Sequence, residues 1–430
     1  MTEGPAVNLN IRVRGLRQSA TIAINDRSNA LIAAGRSVYK LGLGQSPFPV
    51  PREVVDALRD NAERKDYLPV AGLPELRAAV ADFHRRVDHV DVAAENVLVG
   101  PGSKELMFLL QLAYYGDLLV PAPCWVSYAP QARIIGRPVT FIPTRYEERW
   151  RLKPERLEEI CADDPGRPRL LILNYPGNPD GSTYSATELQ QLAEVAKRYK
   201  VVLLSDEIYG PLYHDEDEGH VSIAKYYPTG TIISSGLSKW CGAGGWRLGT
   251  FAFPPALRWL FKAMASAASE TFTSTSAPIQ CAAVTAFAGS DAIDAYLARS
   301  RRILAALGQW CCNALRRAGA RIWEPRGAFY LLPDFSPMRE HLEARDIRDD
   351  RELCRRALEE TGVAFLPGAD FGMWPQQLTA RLAYVDFDGA AALDALEAGG
   401  DAPVDEEFLR AYCPKVIDGI EALCSWLKGK

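Results

Sequence analysis

"RLLILNYPGNPDGSTYSATELQQLAEVAKRYKVVLLSDEIYG", residues 169–210, decides the architecture. Its two apolar runs, "RLLIL" and "VVLL", show no alternation of polar and apolar side chains, so each reads as a strand buried on both faces. Between them "SATELQQLAEVAKRYK" has helical spacing, a capping residue at Ser185 or Thr187, and lysines near its C-terminal end. Strand, turn, helix, strand is the building unit of a parallel sheet covered by helices. Each strand gives way to polar residues: Asn178 in the turn "NYPGNPDG", Asp206 and Tyr209 in "SDEIYG". In open sheets of this kind, sites form where strands end and loops begin.

Working outward, "NVLVG", "DLLVPAP", "PVTFIP", "TIISSG" and "GTFAF" repeat the apolar-run pattern between residues 95 and 260. The expected fold is therefore α/β, with a mostly parallel sheet sandwiched by helices. After about residue 290 the chain turns to long amphipathic runs such as "AYLARSRRILAALGQWCCNALRRAG", the short strand "AFYLLPDF" and the helix "DDRELCRRALEETG", which predict a smaller α+β domain. At 430 residues the chain exceeds what one core usually serves. The expected division is an N-terminal arm that returns to the small domain (1–50), a large domain (51–295) and the small C-terminal domain (296–430). The Ala, Gly and acid-rich stretch 388–409 reads as a surface excursion between helices.

A net charge of -5, with both signs mixed along the chain, leaves no basic footprint for nucleic acid and no patch for an anionic membrane. Nine cysteines without a CxxC pair fit a reducing cytoplasm better than a disulfide framework. The start "MTEGPAVNLNIRVRG" lacks the apolar core of a signal peptide, and no apolar run is long enough to span a bilayer. A cytoplasmic protein is the expectation.

Several segments carry candidate chemistry, each with a plainer reading beside it. "SSGLSKWCGAGGWRLG", 234–249, holds Lys239 and Arg247 among serines and glycines, and a lone lysine is ordinarily a surface residue. Asp206 at the mouth of a buried strand is costly unless it caps a helix or meets a cation such as a protonated ring nitrogen. Asn178 sits in a turn, yet its amide can donate to a phenolate oxygen at the same sheet edge. "VGPGSKELMFLL", 99–110, places Gly102, Ser103 and Lys104 at a helix N-terminus suited to phosphate. Trp125 in "PAPCWVSY" is either core or a stacking platform, and Arg381 in "LTARLAYVDF" offers a planar fork to a carboxylate. "HDEDEGH", 214–220, looks metal-binding but reads as a solvated loop, and no GxSxG or HExxH is present.

Taken in order, "DYLPVAGLPELRAAVADF", "VGPGSKELMF", "VPAPCWVSY", "NYPGNPDG", "SDEIY", "SKWCGAGGWRLG" and "FLPGADFG…ARL" resemble the fold-type I enzymes that use pyridoxal 5'-phosphate (PLP), specifically the class I/II aminotransferases related to aspartate aminotransferase. The resemblance runs from about residue 40 to about 387. It implies a large domain with a seven-stranded sheet, a Schiff base between Lys239 and PLP, and Lys239 as carrier of the Cα proton. Asp206 would pair with the ring nitrogen, Asn178 and Tyr209 with the phenolate oxygen, and Trp125 would stack on the ring. Gly102, Ser103, Lys104, Ser238 and Arg247 would hold the phosphate, joined by Tyr67 from a second subunit of a homodimer with shared active sites. Arg381 would clamp the substrate α-carboxylate, supported by the Gly44 backbone. The sequence departs from the family pattern at Gly236, where a serine is common, at Asp180 in the Asn178 turn, and at Cys124 and Cys241, which read as small buried filler.

The implied reaction moves an amino group from an α-amino acid to a 2-oxo acid. Elimination, replacement or cyclisation on an amino acid uses the same residues and stays as the alternative. A PLP-binding sensor would need an added DNA-binding module, for which the first forty residues are too short. The resemblance also implies that the segment 268–278 of the partner subunit helps to set side-chain specificity; Glu270 there, where dicarboxylate-specific relatives carry a cation, suggests a cationic or neutral substrate side chain.

Overall fold

A computed structural model describes residues 8–400 and 402–429, so the first seven residues of the N-terminal stretch and Asp401 lie outside it. Twelve strands occur among the described residues: β1 (Tyr39–Lys40), β2 (Val97–Gly100), β3 (Asp117–Ala122), β4 (Val139–Pro143), β5 (Arg169–Asn174), β6 (Val202–Asp206), β7 (Thr231–Gly236), β8 (Gly249–Ala252), β9 (Tyr330–Leu331), β10 (Val363–Ala364), β11 (Leu366–Pro367) and β12 (Ala380–Ala383). Seven of them form one sheet in the order β2-β8-β7-β6-β5-β3-β4. Only β8 runs antiparallel to its neighbours; the other pairings are parallel.

The opening stretch folds as its pattern predicts. β5 and β6 are buried along almost their whole length, and the helix Ala186–Arg198 crosses between them. Ser185, not Thr187, caps it: its hydroxyl accepts from Glu188 N while the Glu188 carboxylate accepts from Ser185 N at 3.0 Å. Lys197 and Arg198 occupy the last turn, where they face the negative end of the helix dipole. Apolar residues on one side of the sheet, such as Leu171, Leu173 and Leu203, pack with Leu189 and Leu192 of this helix. Those on the other side, such as Ile172, Leu204 and Ile232, pack with Leu106 and Leu110 of the helix Ser103–Ala113. Burying each such side chain contributes roughly 1.5–3 kcal/mol.

The C-terminal part carries a three-stranded antiparallel sheet, β11-β12-β9, packed with the helices Asp291–Ala318, Asp350–Thr361 and Pro414–Leu427. β1 pairs in parallel with β10, which ties the segment after residue 39 to this part of the molecule. Residues 389–399 and 406–412 are themselves helices, capped by Asp388 and Asp405, so the expected surface excursion narrows to the short join between them. All nine cysteines are unpaired, and burial pushes the Cys241 thiol up to about 12, as expected of filler. Among the described residues, no helix is long and apolar enough to cross a membrane.

The "HDEDEGH" loop corrects its expectation. Its acids lie at the surface, but both histidines turn inward: His214 contacts the Pro325 and Ala328 carbonyls, and His220 Nε2 lies 2.8 Å from Glu207 Oε2. Two buried carbonyls and a buried carboxylate offer the rings partners that water would otherwise supply. Asp88, Glu207 and His220 offer donor atoms within 4.8 Å of one another, and the 2.8 Å His220–Glu207 hydrogen bond already pairs two of them. The hydrogen-bonded His220–Glu207 contact reads as an ion pair.

Candidate active site

Parallel strands bring their C-terminal ends to one edge, and the register aligns Asn174, Asp206 and Ser234 across β5, β6 and β7. A cavity of about 450 Å³ opens there. Asn174, Asn178, Asp206, Tyr209, Ser238, Lys239 and Arg247 line it from the sheet side, Ser103 and Lys104 from the start of the helix Ser103–Ala113, and Trp125 from the loop after β3. Gly44 closes it from the N-terminal segment.

Asp206 is 3% exposed. Its carboxylate accepts from the Tyr128 hydroxyl at 2.6 Å and the Ser234 hydroxyl at 3.2 Å, and the Asn174 amide donates to its backbone oxygen. Burial outweighs these donors and pushes the carboxyl up to about 6. Lys239 Nζ donates to the Gly44 carbonyl at 2.7 Å. Burial, reinforced by the Arg381 charge, brings this amine down to about 8, so a useful fraction is unprotonated near neutral pH.

The glycines next to Ser103 and Arg247 are there for space. A Cβ on Gly249 would lie 2.1 Å from Ser103 N, and one on Gly102 would lie 2.4 Å from an Arg247 guanidinium nitrogen. That close packing sets the first amides of the helix Ser103–Ala113 beside Arg247, whose Nη1 donates to Gly244 O at 2.8 Å. Lys104 Nζ stands 5.1 Å from the Trp125 ring centroid, and burial followed by the Arg247 charge lowers its pKa. Gly236 has a steric reason too: in β7 it faces Gly249, and a Cβ would sit 2.7 Å from the Leu248 carbonyl. The nearby hydroxyl at the cavity is Ser238.

Arg381, 1% exposed on β12, stands behind the cavity wall. Its Nη1 donates to Asn178 Oδ1 at 3.2 Å and its Nη2 to the Gly42 carbonyl, while Nε has no partner among the described residues. Tyr330 and Phe371 flank the guanidinium, with ring centroids 4.9 and 5.0 Å away. Tyr209 meets Tyr330 hydroxyl to hydroxyl at 2.7 Å. Tyr67 lies apart from its own chain's cavity and is 90% exposed. Glu270 is exposed at the end of the helix Arg258–Ser269.

The geometry also shows residues that sequence reading passed over. Tyr128 follows Trp125 by three residues, and Asn174 and Ser234 lie level with Asp206 on the strands beside it, so cross-strand alignment was an available signal. Tyr330 and Ile22 had none, because only the fold brings them to residues far away in sequence.

The family described as Aminotransferase class I and II matches residues 36–386. A probable aspartate/prephenate aminotransferase of Thermus aquaticus is 34% identical, covering 84% of this chain and 92% of that one. An aspartate aminotransferase of Geobacillus stearothermophilus is 33% identical over 90% of this chain and 95% of its own. The solved aspartate aminotransferase of Thermus thermophilus with maleate superposes with a TM-score of 0.82 at 30% identity, over 97% of this chain and 100% of that chain. All three relatives are named for amino-group transfer, and none for elimination, replacement or cyclisation. The chain belongs to the class I and II aminotransferases, PLP-dependent enzymes that transfer an amino group.

Proposed function

We propose that the cavity holds pyridoxal 5'-phosphate attached to Lys239 and transfers amino groups between an acidic α-amino acid and a 2-oxo acid. Asp206 carries this reading. It is a buried carboxylate whose hydrogen-bond donors are two hydroxyls and the Ile208 backbone, an environment one cationic ring nitrogen would complete. The opposite corner fits a phosphate, with helix amides, the Ser238 hydroxyl and Arg247 converging on one place.

Bound there, PLP supplies an electron sink that lets the substrate Cα give up its proton. Lys239 would be the covalent anchor and, once the substrate amine has displaced it, the free amine whose lowered pKa lets it take this proton and return it. Asp206 keeps the ring nitrogen protonated, Asn178 and Tyr209 donate to the ring oxygen, and Trp125 covers one face. Arg381 receives the α-carboxylate on its fork, exchanging contacts now made to Asn178 and Gly42. Gly44 and the segment around it exclude water. In a homodimer with shared sites, the exposed Tyr67 reaches the partner's phosphate corner.

Lys104 supports an acidic substrate: its ammonium lines the cavity over Trp125 and forms no salt bridge among the described residues. Glu270, the reason to expect a neutral or cationic side chain, would act on the site of the partner subunit and lies outside the cavity of its own chain. Aspartate, named in the relatives, is the donor to test first.

The test is spectroscopic. Wild-type protein loaded with PLP should show a visible band that borohydride abolishes by fixing the cofactor to the chain, and aspartate alone should convert that band. Lys239→Ala should lose the covalent link and at least about 10³-fold in turnover. A protein that stays colourless with added PLP sinks the reading, and preference for lysine or alanine over aspartate sinks the substrate class.

A further inference from the structure

Tyr330 belongs to no motif and does not line the cavity, yet it touches three residues of the site. Its hydroxyl is 2.7 Å from that of Tyr209, and the two rings meet edge to face with centroids 5.5 Å apart. Its ring lies 4.9 Å from the Arg381 guanidinium. A Cβ on Gly44 would come within 2.0 Å of the Tyr330 oxygen, so the N-terminal segment rests directly on this side chain. The sheet explains the convergence: Tyr330 on β9 pairs with Ala383 on β12, and Arg381, two residues before, projects from the same face. Tyr330 is 1% exposed, so no bulk water competes for these contacts.

We propose that Tyr330 is a positioning residue that holds the Tyr209 hydroxyl and the Arg381 guanidinium in one arrangement, so that the cofactor end and the carboxylate end of the site are set together. The proposal rests on the reading that Tyr209 donates to the PLP ring oxygen and Arg381 receives the substrate carboxylate. Two hydroxyls 2.7 Å apart share one hydrogen. When the Tyr209 O–H points to the ring oxygen, the shared hydrogen must come from Tyr330. Tyr330 thereby fixes the rotor of Tyr209, and its ring face fixes the plane of the Arg381 fork.

Two variants separate these contacts in the PLP-loaded enzyme. Tyr330→Phe keeps the ring and removes the hydroxyl. The pH midpoint of the visible cofactor band should rise by about half to one unit, because the hydrogen bond favouring the anionic ring oxygen weakens. Cofactor content and KM should stay near wild type. Tyr330→Leu also removes the ring, and KM for the amino acid should rise about tenfold, the effect of losing a buried cation–π contact. In a Tyr209→Phe background the hydroxyl is already without its partner, so adding Tyr330→Phe should move the midpoint no further. A purely structural role would lower thermal stability and leave the midpoint in place. Wild-type protein that takes up no PLP overturns the site reading and this role with it. A wild type that loads, with Tyr330→Phe titrating at the same midpoint, overturns this role alone.

Discussion

Asp206 and Glu207 are adjacent in sequence and equally buried, at 3% and 4% exposed, yet the fold treats them oppositely. Glu207 receives His220, the Ser222 hydroxyl at 2.7 Å and the Tyr175 hydroxyl at 3.3 Å. Those donors overcome burial and hold its carboxyl below the usual range, while His220 is raised in return. Asp206, on the neighbouring side, has hydroxyl and backbone donors and is pushed up to about 6. One carboxylate has its counter-charge built into the chain; the other has the geometry of a charge whose partner arrives with a ligand. Burial alone therefore separates structural from chemical acids poorly. The identity of the donors does it better.

Removing the chemical acid should have the largest effect. Asp206→Asn should lower turnover of the loaded enzyme about 10²–10³-fold while leaving Lys239 able to bind PLP, read from kinetics and the visible band. In the cofactor-free protein the sign reverses. A carboxyl raised from 3.8 to about 6 costs stability as pH climbs through that interval, about 3 kcal/mol in all, and the cost persists above it. Asp206→Asn should abolish that decline in thermal unfolding followed across the interval; an unchanged decline would assign it to other groups.

Breaking the structural pair should act on stability and spare the cofactor spectrum. His220→Ala strands Glu207 without its cation and should cost about 3–5 kcal/mol in denaturant unfolding. The His220 contribution is complete below its unfolded value of 6.5 and fades as pH rises through its raised folded value. That of Glu207 is complete above 4.5 and fades as pH falls through its lowered folded value. The loss in His220→Ala should accordingly be greatest between these two unfolded values. Smallest of all, Gly236→Ser should cost about 1–3 kcal/mol from crowding the Leu248 carbonyl and bring no gain in PLP affinity. Tighter PLP binding would instead restore the serine's place in the phosphate corner.

Much of this was legible before the structure, for a physical reason. Strands buried on both faces leave unbroken apolar runs, so β5 and β6 could be read directly, and Asp206, Asn178 and Lys239 follow strands whose ends must share an edge. The inward turn of His214 and His220 could not be read, because their partners lie on other segments: two backbone carbonyls and a carboxylate. Gly236 looked like a missing hydroxyl until its contact with the strand beside it was known. Tyr330 was invisible for the same reason, since cross-strand neighbours carry no mark in the sequence.

The pairing of β1 with β10 joins residues 39–40 to residues 363–364, and Arg381 adds a bond back to Gly42. A chain emerging from the ribosome can complete its central sheet once β8 has formed, but the segment bearing Gly44 lacks Tyr330, the β10 pairing and Arg381 until residues 330–381 have been made. Enclosure of the cavity is thus a late event in biosynthesis. A nascent or prematurely ended chain would present Lys239 to solvent with neither the Gly44 carbonyl nor the Arg381 charge beside it, and so without two of the surroundings that tune its amine.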